Sequence, residues 1–183
     1  MGTMKKPTVS LFRRMKNEGR KIVMLTAYDA PTAKLAQECG IDIILVGDSL
    51  GMAVLGYQNT LPVTLEQSLH HCAAVRRGAP DAFVIGDMPF MTCHASETDA
   101  LKNAARYLQE AQCDAVKIEG DAALAPTVER MVHAGIPVMG HIGLLPQHIK
   151  TSGVYRVTGR KEEEAERIIA DAKAMEAAGV FAM

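Results

Sequence analysis

Tryptophan is absent from this chain of 183 residues, and aromatic side chains make up only 4% of it. So few aromatics leave little for nucleobases to stack on. A formal net charge of −1 gives no bulk attraction to nucleic acid or to an anionic membrane. No apolar run approaches the roughly eighteen residues that a bilayer-crossing helix needs. The four cysteines, Cys39, Cys72, Cys93 and Cys113, form no C-x-x-C pair. That excludes the usual zinc and dithiol spacings and leaves them as free thiols of a reducing cytoplasm. The basic N-terminal stretch KKPTVSLFRRMKNEGRK has no apolar h-region and no small-residue cleavage site, so it is not a secretory signal.

What is present is the balance of a globular protein: 48% apolar and 22% charged residues. The length suits one domain over 1–183, enough for a substantial core. Within residues 1–20 the basic stretch reads as a capping helix, with Ser10 as N-cap, Leu11, Phe12 and Met15 on one face, and Gly19 as the stop. Met1-Gly2-Thr3, ahead of a second Met4, reads as a cloning remnant.

Beyond that helix, strand and helix patterns alternate. Strands are expected at 22–29, 41–48, 82–87, 114–120 and 136–143, with a sixth beginning at 180–183. Helices are expected between them, at 30–39, 64–77, 96–111, 121–134 and 160–179. Thr64 and Gln67 form a capping box, Ser96 and Asp99 open the next helix, and glycines close several of them. The strands are continuous apolar runs, not alternating ones, which is the pattern of a parallel sheet covered on both faces. Such a chain fits either a doubly wound sheet or most of a (β/α)8 barrel. No G-x-G-x-x-G or Walker loop follows any strand, which weighs against the nucleotide-binding sheet. A barrel needs eight strands and about 250 residues. The chain therefore reads as a truncated piece of something longer.

In both architectures the site lies at the carboxyl ends of the strands. Those ends carry Tyr28 and Asp29, Asp48 and Ser49, Asp87, Lys117 and Glu119, and His141. Lys117 and Glu119 share a parity and so point to one side of the sheet. Acids converging from separate strands repel unless a cation joins them, and an all-oxygen set without a Cys or His cluster favours Mg2+. Lys117 and His141 would then hold an anionic group or a developing oxyanion. Each residue also has an ordinary use. Asp48 and Asp87 could cap turns, Glu119 could cap the following helix, His141 could be a satisfied half-buried side chain, and Asp29 suits an N-cap. His70, His71, His94, His133 and His148 show no ligand spacing. The loop 51–63 has the length of a substrate cover. The stretch 150–159 is either a second such cover or a plain surface connection.

Taken in order, the segments TAYD (26–29), VGDSLGM (46–52), TLPVT (60–64), HHCAAVRRGAP (70–80), GDMPFM (86–91), VKIEG (116–120), GHIGLLPQ (140–147) and YRVTGR (155–160) make the chain resemble the ketopantoate (3-methyl-2-oxobutanoate) hydroxymethyltransferase family. The resemblance implies a (β/α)8 TIM barrel, here incomplete, assembled in the family as a homodecamer. It implies transfer of a hydroxymethyl group from 5,10-methylenetetrahydrofolate to 2-oxoisovalerate in pantothenate and coenzyme A synthesis. Carried over by position, Asp48, Asp87 and Glu119 match the Mg2+-associated acids. Asp48, Ser49, Asp87, Lys117 and His141 match substrate-contacting positions. The metal would polarise the oxo acid's carbonyl and a general base would remove its C3 proton. The family's base, a glutamate, is expected a few residues past Met183, so this chain on its own is expected to show no hydroxymethyl transfer. Two further readings stand beside it: a fragment that binds Mg2+ or oxo acid without turnover, and a different enolate-stabilising lyase or mutase.

Overall fold

The computed structural model describes residues 6–183, so the opening Met1-Gly2-Thr3 and Met4 lie outside the described residues. Helix α1 (Val9–Asn17) leads into β1 (Met24–Thr26), α2 (Ala30–Glu38), β2 (Ile43–Val46), the short α3 (Leu50–Ala53) and α4 (Leu65–Gly78). There follow β3 (Phe83–Asp87), α5 (Glu97–Gln109), β4 (Ala115–Glu119), α6 (Ala125–His133) and β5 (Val138–His141). The short α7 (Ile149–Ser152) and α8 (Glu162–Ala177) complete the elements.

The five strands form one sheet in the order β1-β2-β3-β4-β5, all parallel. This order separates the two expected architectures. A doubly wound sheet reverses direction at a switch point, whereas this one adds every strand on the same side, as the wall of a (β/α)8 barrel does. The expected sixth strand is present only as a bridge, Met139 to Ala182, in which Gly140 N donates to Ala182 O at 2.9 Å.

Sequence parity sorts the two faces. Ile44, Val46, Val84, Val116, Ile118 and Val138 join the helices in the larger core. Ile43, Phe83, Ile85, Ala115 and Met139 face the other way and meet Phe12 and Met15 of α1. The Phe12 and Phe83 rings pack edge to face at 4.9 Å. Thus α1 seals the concave face of the sheet below the strand ends.

Several local expectations shift. Thr8, not Ser10, caps α1, its side chain accepting from Leu11 N. The hydroxyl of Ser10 bonds instead to that of Thr8. The long apolar run at 22–29 yields only three residues of strand, and Ile22, Val23, Met24 and Leu25 are exposed. β1 is paired on one edge only among the described residues, so burial on both faces does not extend to it. The helix expected at 121–134 opens as a tight 3-10 turn at Ala122–Leu124, capped by Asp121. Asp29, Thr64 and Ser96 cap their helices as expected, and Gln67 completes the box with Thr64.

One buried cation holds the amino-terminal ends of β3 and β4 together. Arg76 donates to the carbonyls of Ala79, Pro80, Ala82 and Gln112, and pairs with Asp114. The same Asp114 oxygen accepts from Val84 N at 2.8 Å. Gln112 has φ of 54°, a left-handed conformation that costs a non-glycine residue and that the Arg76 contact helps to hold. Removing Arg76 would take a donor from four carbonyls and leave the Asp114 carboxylate, still bound by Val84 N and Lys6, without its buried cation. Arg76→Met is expected to lower unfolding free energy by about 3 kcal/mol. Urea midpoints at constant m-value would show it, and a loss below about 1 kcal/mol would contradict this role.

Candidate active site

The two Gly-Asp pairs occupy unlike positions. Gly86 and Asp87 end β3, and a Cβ on Gly86 would stand 2.2 Å from the buried Tyr107 ring. Glycine lets α5 lie that close to the strand. The Tyr107 hydroxyl in turn lies 3.0 Å from the Asp87 carbonyl oxygen and 2.8 Å from Ser68 Oγ, which fixes the backbone under the carboxylate. Asp48 lies past the end of β2, in the turn into α3. Its backbone N donates to Asp87 Oδ2 at 3.2 Å. A Cβ on Gly47 would stand 2.7 Å from Ser49 Oγ, so this glycine makes room for the serine hydroxyl. Ser49 Oγ is held at 2.8 Å by the Tyr28 hydroxyl, and His71 Nδ1 contacts the Tyr28 carbonyl oxygen at 2.7 Å.

Strands β4 and β5 contribute the remaining polar groups. Lys117 sits beside Asp87 in the register and its Nζ reaches Asp87 Oδ1 at 2.7 Å. Glu119 pairs in register with His141, whose Nδ1 lies 3.2 Å from Oε1 but off the line a hydrogen bond requires. Glu119 does not cap the following helix; its Oε2 accepts from Gln147 N at 3.0 Å. Gln147 was absent from the sequence-based set. It sits in the 3-10 turn Pro146–His148, and its Nε2 donates to Asp48 Oδ2 at 3.0 Å and to Met88 O at 3.1 Å. The signal available was one polar side chain closing the apolar run Leu144-Leu145-Pro146 after a strand, which is weak without the fold.

Asp48, Asp87 and Glu119 are 4%, 2% and 2% exposed. Burial, then the neighbouring Asp87 charge, pushes the Asp48 carboxyl up to about 7. Burial also raises Asp87, against the opposing pull of Lys117. Burial works against the Lys117 charge, but Asp87 and the other acids outweigh it and hold its pKa above the ordinary lysine value. Lys117 therefore remains an ammonium. Three carboxyls thus share one fixed cation in a water-poor site.

The structure brings together Asp48, Asp87, Lys117, Glu119 and His141, and places Ser49 on the turn that carries Asp48. Asp29 is an N-cap outside the cluster. Among the described residues no three His, Cys, Asp or Glu side chains stand as a ready-made metal-holding group. Their carboxylates are turned toward Lys117, Gln147 and His141 instead. The donor set still suits a hard divalent cation: buried oxygens, unbalanced negative charge, and buried His141 Nδ1 and Gln147 Oε1 atoms without hydrogen-bond partners. Beside β4 a separate cavity of about 320 Å³ is lined by Asp121, His148, Arg156, Arg167 and Asp171 among others. The 150–159 stretch contributes to this cavity through Val154, Arg156 and Thr158, and none of the six expected site residues lines it.

Residues 6–183 match the family model described as ketopantoate hydroxymethyltransferase. The chain is 53% identical over 176 residues to the 3-methyl-2-oxobutanoate hydroxymethyltransferase of Shouchella clausii, and 55% identical over 177 residues to that of Desulfotalea psychrophila. These alignments cover 96% and 97% of this chain, which spans 63% of the length of each relative. Among solved structures it is similar to 2,3-dimethylmalate lyase, a PEP mutase/isocitrate lyase superfamily member, at TM-score 0.67 and 17% identity over 97% of this chain and 60% of that one. It is also similar to a putative phosphonomutase from Burkholderia cenocepacia, at TM-score 0.71 and 16% identity over 94% of this chain and 70% of that one. At such identities these two likenesses concern the fold alone.

The raised Asp48 pKa has a definite sign for stability. Between about 4 and 7 the folded chain binds more protons than the unfolded one, so unfolding free energy falls as pH rises through that window and then levels off. Asp48→Asn keeps an acceptor for Gln147 and removes the charge. It is expected to raise the Tm measured in chelator at pH 8, by roughly 2–4 °C per kcal/mol relieved, with a much smaller gain at pH 5. Equal shifts at both pH values, measured by calorimetry, would contradict a charged, strained Asp48.

Proposed function

Because the chain belongs to the ketopantoate hydroxymethyltransferase family, we propose that the whole protein transfers a hydroxymethyl group from 5,10-methylenetetrahydrofolate to 3-methyl-2-oxobutanoate, forming 2-dehydropantoate for pantothenate and coenzyme A synthesis. The observation that carries this reading is the buried set of Asp48, Asp87 and Glu119, with the half-buried Lys117 among them, at the carboxyl ends of consecutive parallel strands. The lyase or mutase reading has support only from the shared fold, at 16–17% identity in the two structures compared, against 53–55% for the hydroxymethyltransferases.

Asp48 and Asp87 would hold Mg2+, with Glu119 as the third acid, and the bound ion supplies a Lewis acid that polarises the 2-oxo acid's carbonyl. The chain's own groups would supply the binding contacts around it. The Lys117 ammonium has three donors and gives one to Asp87, which leaves two for a carboxylate or a developing oxyanion. His141 stands beside Glu119 at the same strand-end level and would offer its ring as a further polar contact. Ser49, pinned by Tyr28, contributes a hydroxyl of fixed direction. Burial of the acids keeps water from competing for these contacts.

A second reading rests on the same cluster. Each of its three carboxylates is already engaged, by Lys117, Gln147 or His141, so none is left idle as a base for the C3 proton. On that reading the residues 1–183 alone bind cation and oxo acid without turnover. Formation of 2-dehydropantoate from 3-methyl-2-oxobutanoate, methylenetetrahydrofolate and Mg2+ tests both. The whole protein is expected to be active and to lose activity in chelator, with Asp87→Asn lowering kcat/KM at least about 100-fold. Residues 1–183 alone are expected to show no turnover. Chelator-resistant activity, or Asp87→Asn within a few fold of the parent, would overturn the metal-assisted reading.

A further inference from the structure

Resting on the metal-assisted reading above, we propose that Gln147 is a positioning residue that fixes Asp48 and Glu119 for divalent-cation binding. Among the described residues no other one outside the strands hydrogen-bonds to both acids. Its backbone N–H reaches Glu119 Oε2 at 3.0 Å, and its side-chain amide reaches Asp48 Oδ2 at 3.0 Å. The turn explains the backbone contact. Pro146 has no N–H to offer, so the N–H of Gln147 is the first free donor of the turn, and Glu119 takes it.

The orientation of the amide is set by its partners. Nε2 faces Asp48 Oδ2 and the Met88 carbonyl, and a carbonyl can only accept. Both N–H groups are therefore committed, and Oε1 must be the other arm. Gln147 is 3% exposed, and Oε1 has no hydrogen-bond partner. An unmet buried acceptor is destabilising, so a glutamine used only for packing would be a poor choice here. An amide that occupies one Asp48 oxygen would leave the other for a cation, and its own unpartnered Oε1 would accept from a water or ligand donor. The groups that contact Gln147 are the Asp48 and Glu119 carboxylates and the Met88 carbonyl. Each of the two acids thus has one oxygen held by a donor from the same residue.

The test is titration with Mn2+, followed by electron paramagnetic resonance, on the whole protein and on Gln147→Met, which fills the same space, keeps the backbone N–H on Glu119 and removes the side-chain donors and acceptor. Gln147→Met is expected to weaken Mn2+ binding about 10- to 100-fold. Its Tm in chelator is expected to stay within a few degrees of the parent. In an Asp48→Asn background the same substitution is expected to add little, because its effect runs through Asp48. Should Gln147→Met not fold, Gln147→Asn is read in the same way, since its amide is one methylene short of reaching both acceptors. Parent-like Mn2+ affinity in the folded variant, or a lowered Tm with unchanged affinity, would overturn the positioning role and leave the proposed reaction untouched. No Mn2+ binding by the parent would overturn both.

Discussion

Three carboxylates are shut away from water at the ends of β2, β3 and β4 beside one half-buried ammonium, and the local structure follows from how that imbalance is contained. Lys117 offsets only one negative charge, and burial raises the Asp87 and Asp48 pKa values. A charge held under those conditions needs donors whose positions cannot relax. The chain supplies them from rigid places: a lysine on a central strand, a backbone N–H at the Gly47–Asp48 turn, and both the backbone and side chain of Gln147.

The concave face of the sheet is layered to match. Along each strand, alternate residues face inward. Phe83, Ile85 and then Asp87 do so on β3, Ala115, Lys117 and Glu119 on β4, and Met139 and His141 on β5. Apolar side chains therefore form a floor, plugged from below by Phe12 and Met15, and the polar groups stand above it. The floor removes water on one side of the charges, which strengthens every contact among them. Arg76 and Asp114 work at the opposite end of β3 and β4, holding the strand beginnings so that the strand ends keep their level.

Much of this arrangement was legible before any coordinates. Continuous apolar runs ending in Asp48, Asp87, Glu119 and His141 place those residues at one end of a parallel sheet, because strand direction and parity are properties of local sequence. The strand pattern by itself left a doubly wound sheet and a barrel wall open, since the choice depends on which side each new strand joins; the family resemblance implied the barrel, and the strand order bears that out. Gln147 was also out of reach. It lies 28 residues from Glu119 and 99 from Asp48, and a polar residue in a loop carries no period that would reveal such partners. The exposure of β1 was hidden for the opposite reason: its sequence is as apolar as that of the buried strands, and only its place at the sheet edge sets it apart.

The repeated Gly-Asp shows how one dipeptide can answer two different demands. Gly86 is small because Tyr107 must lie against β3, and that tyrosine then braces the Asp87 carbonyl. Gly47 is small because Ser49 folds back over it, and the turn that results aims the Asp48 N–H at Asp87. The two acids are consequently unequal. Asp87 has a full positive charge at 2.7 Å, whereas Asp48 has only an amide and a more negative surrounding. A cation bound between them, as proposed, would gain most from Asp48, whose charge is less compensated than that of Asp87, which is already tied to Lys117.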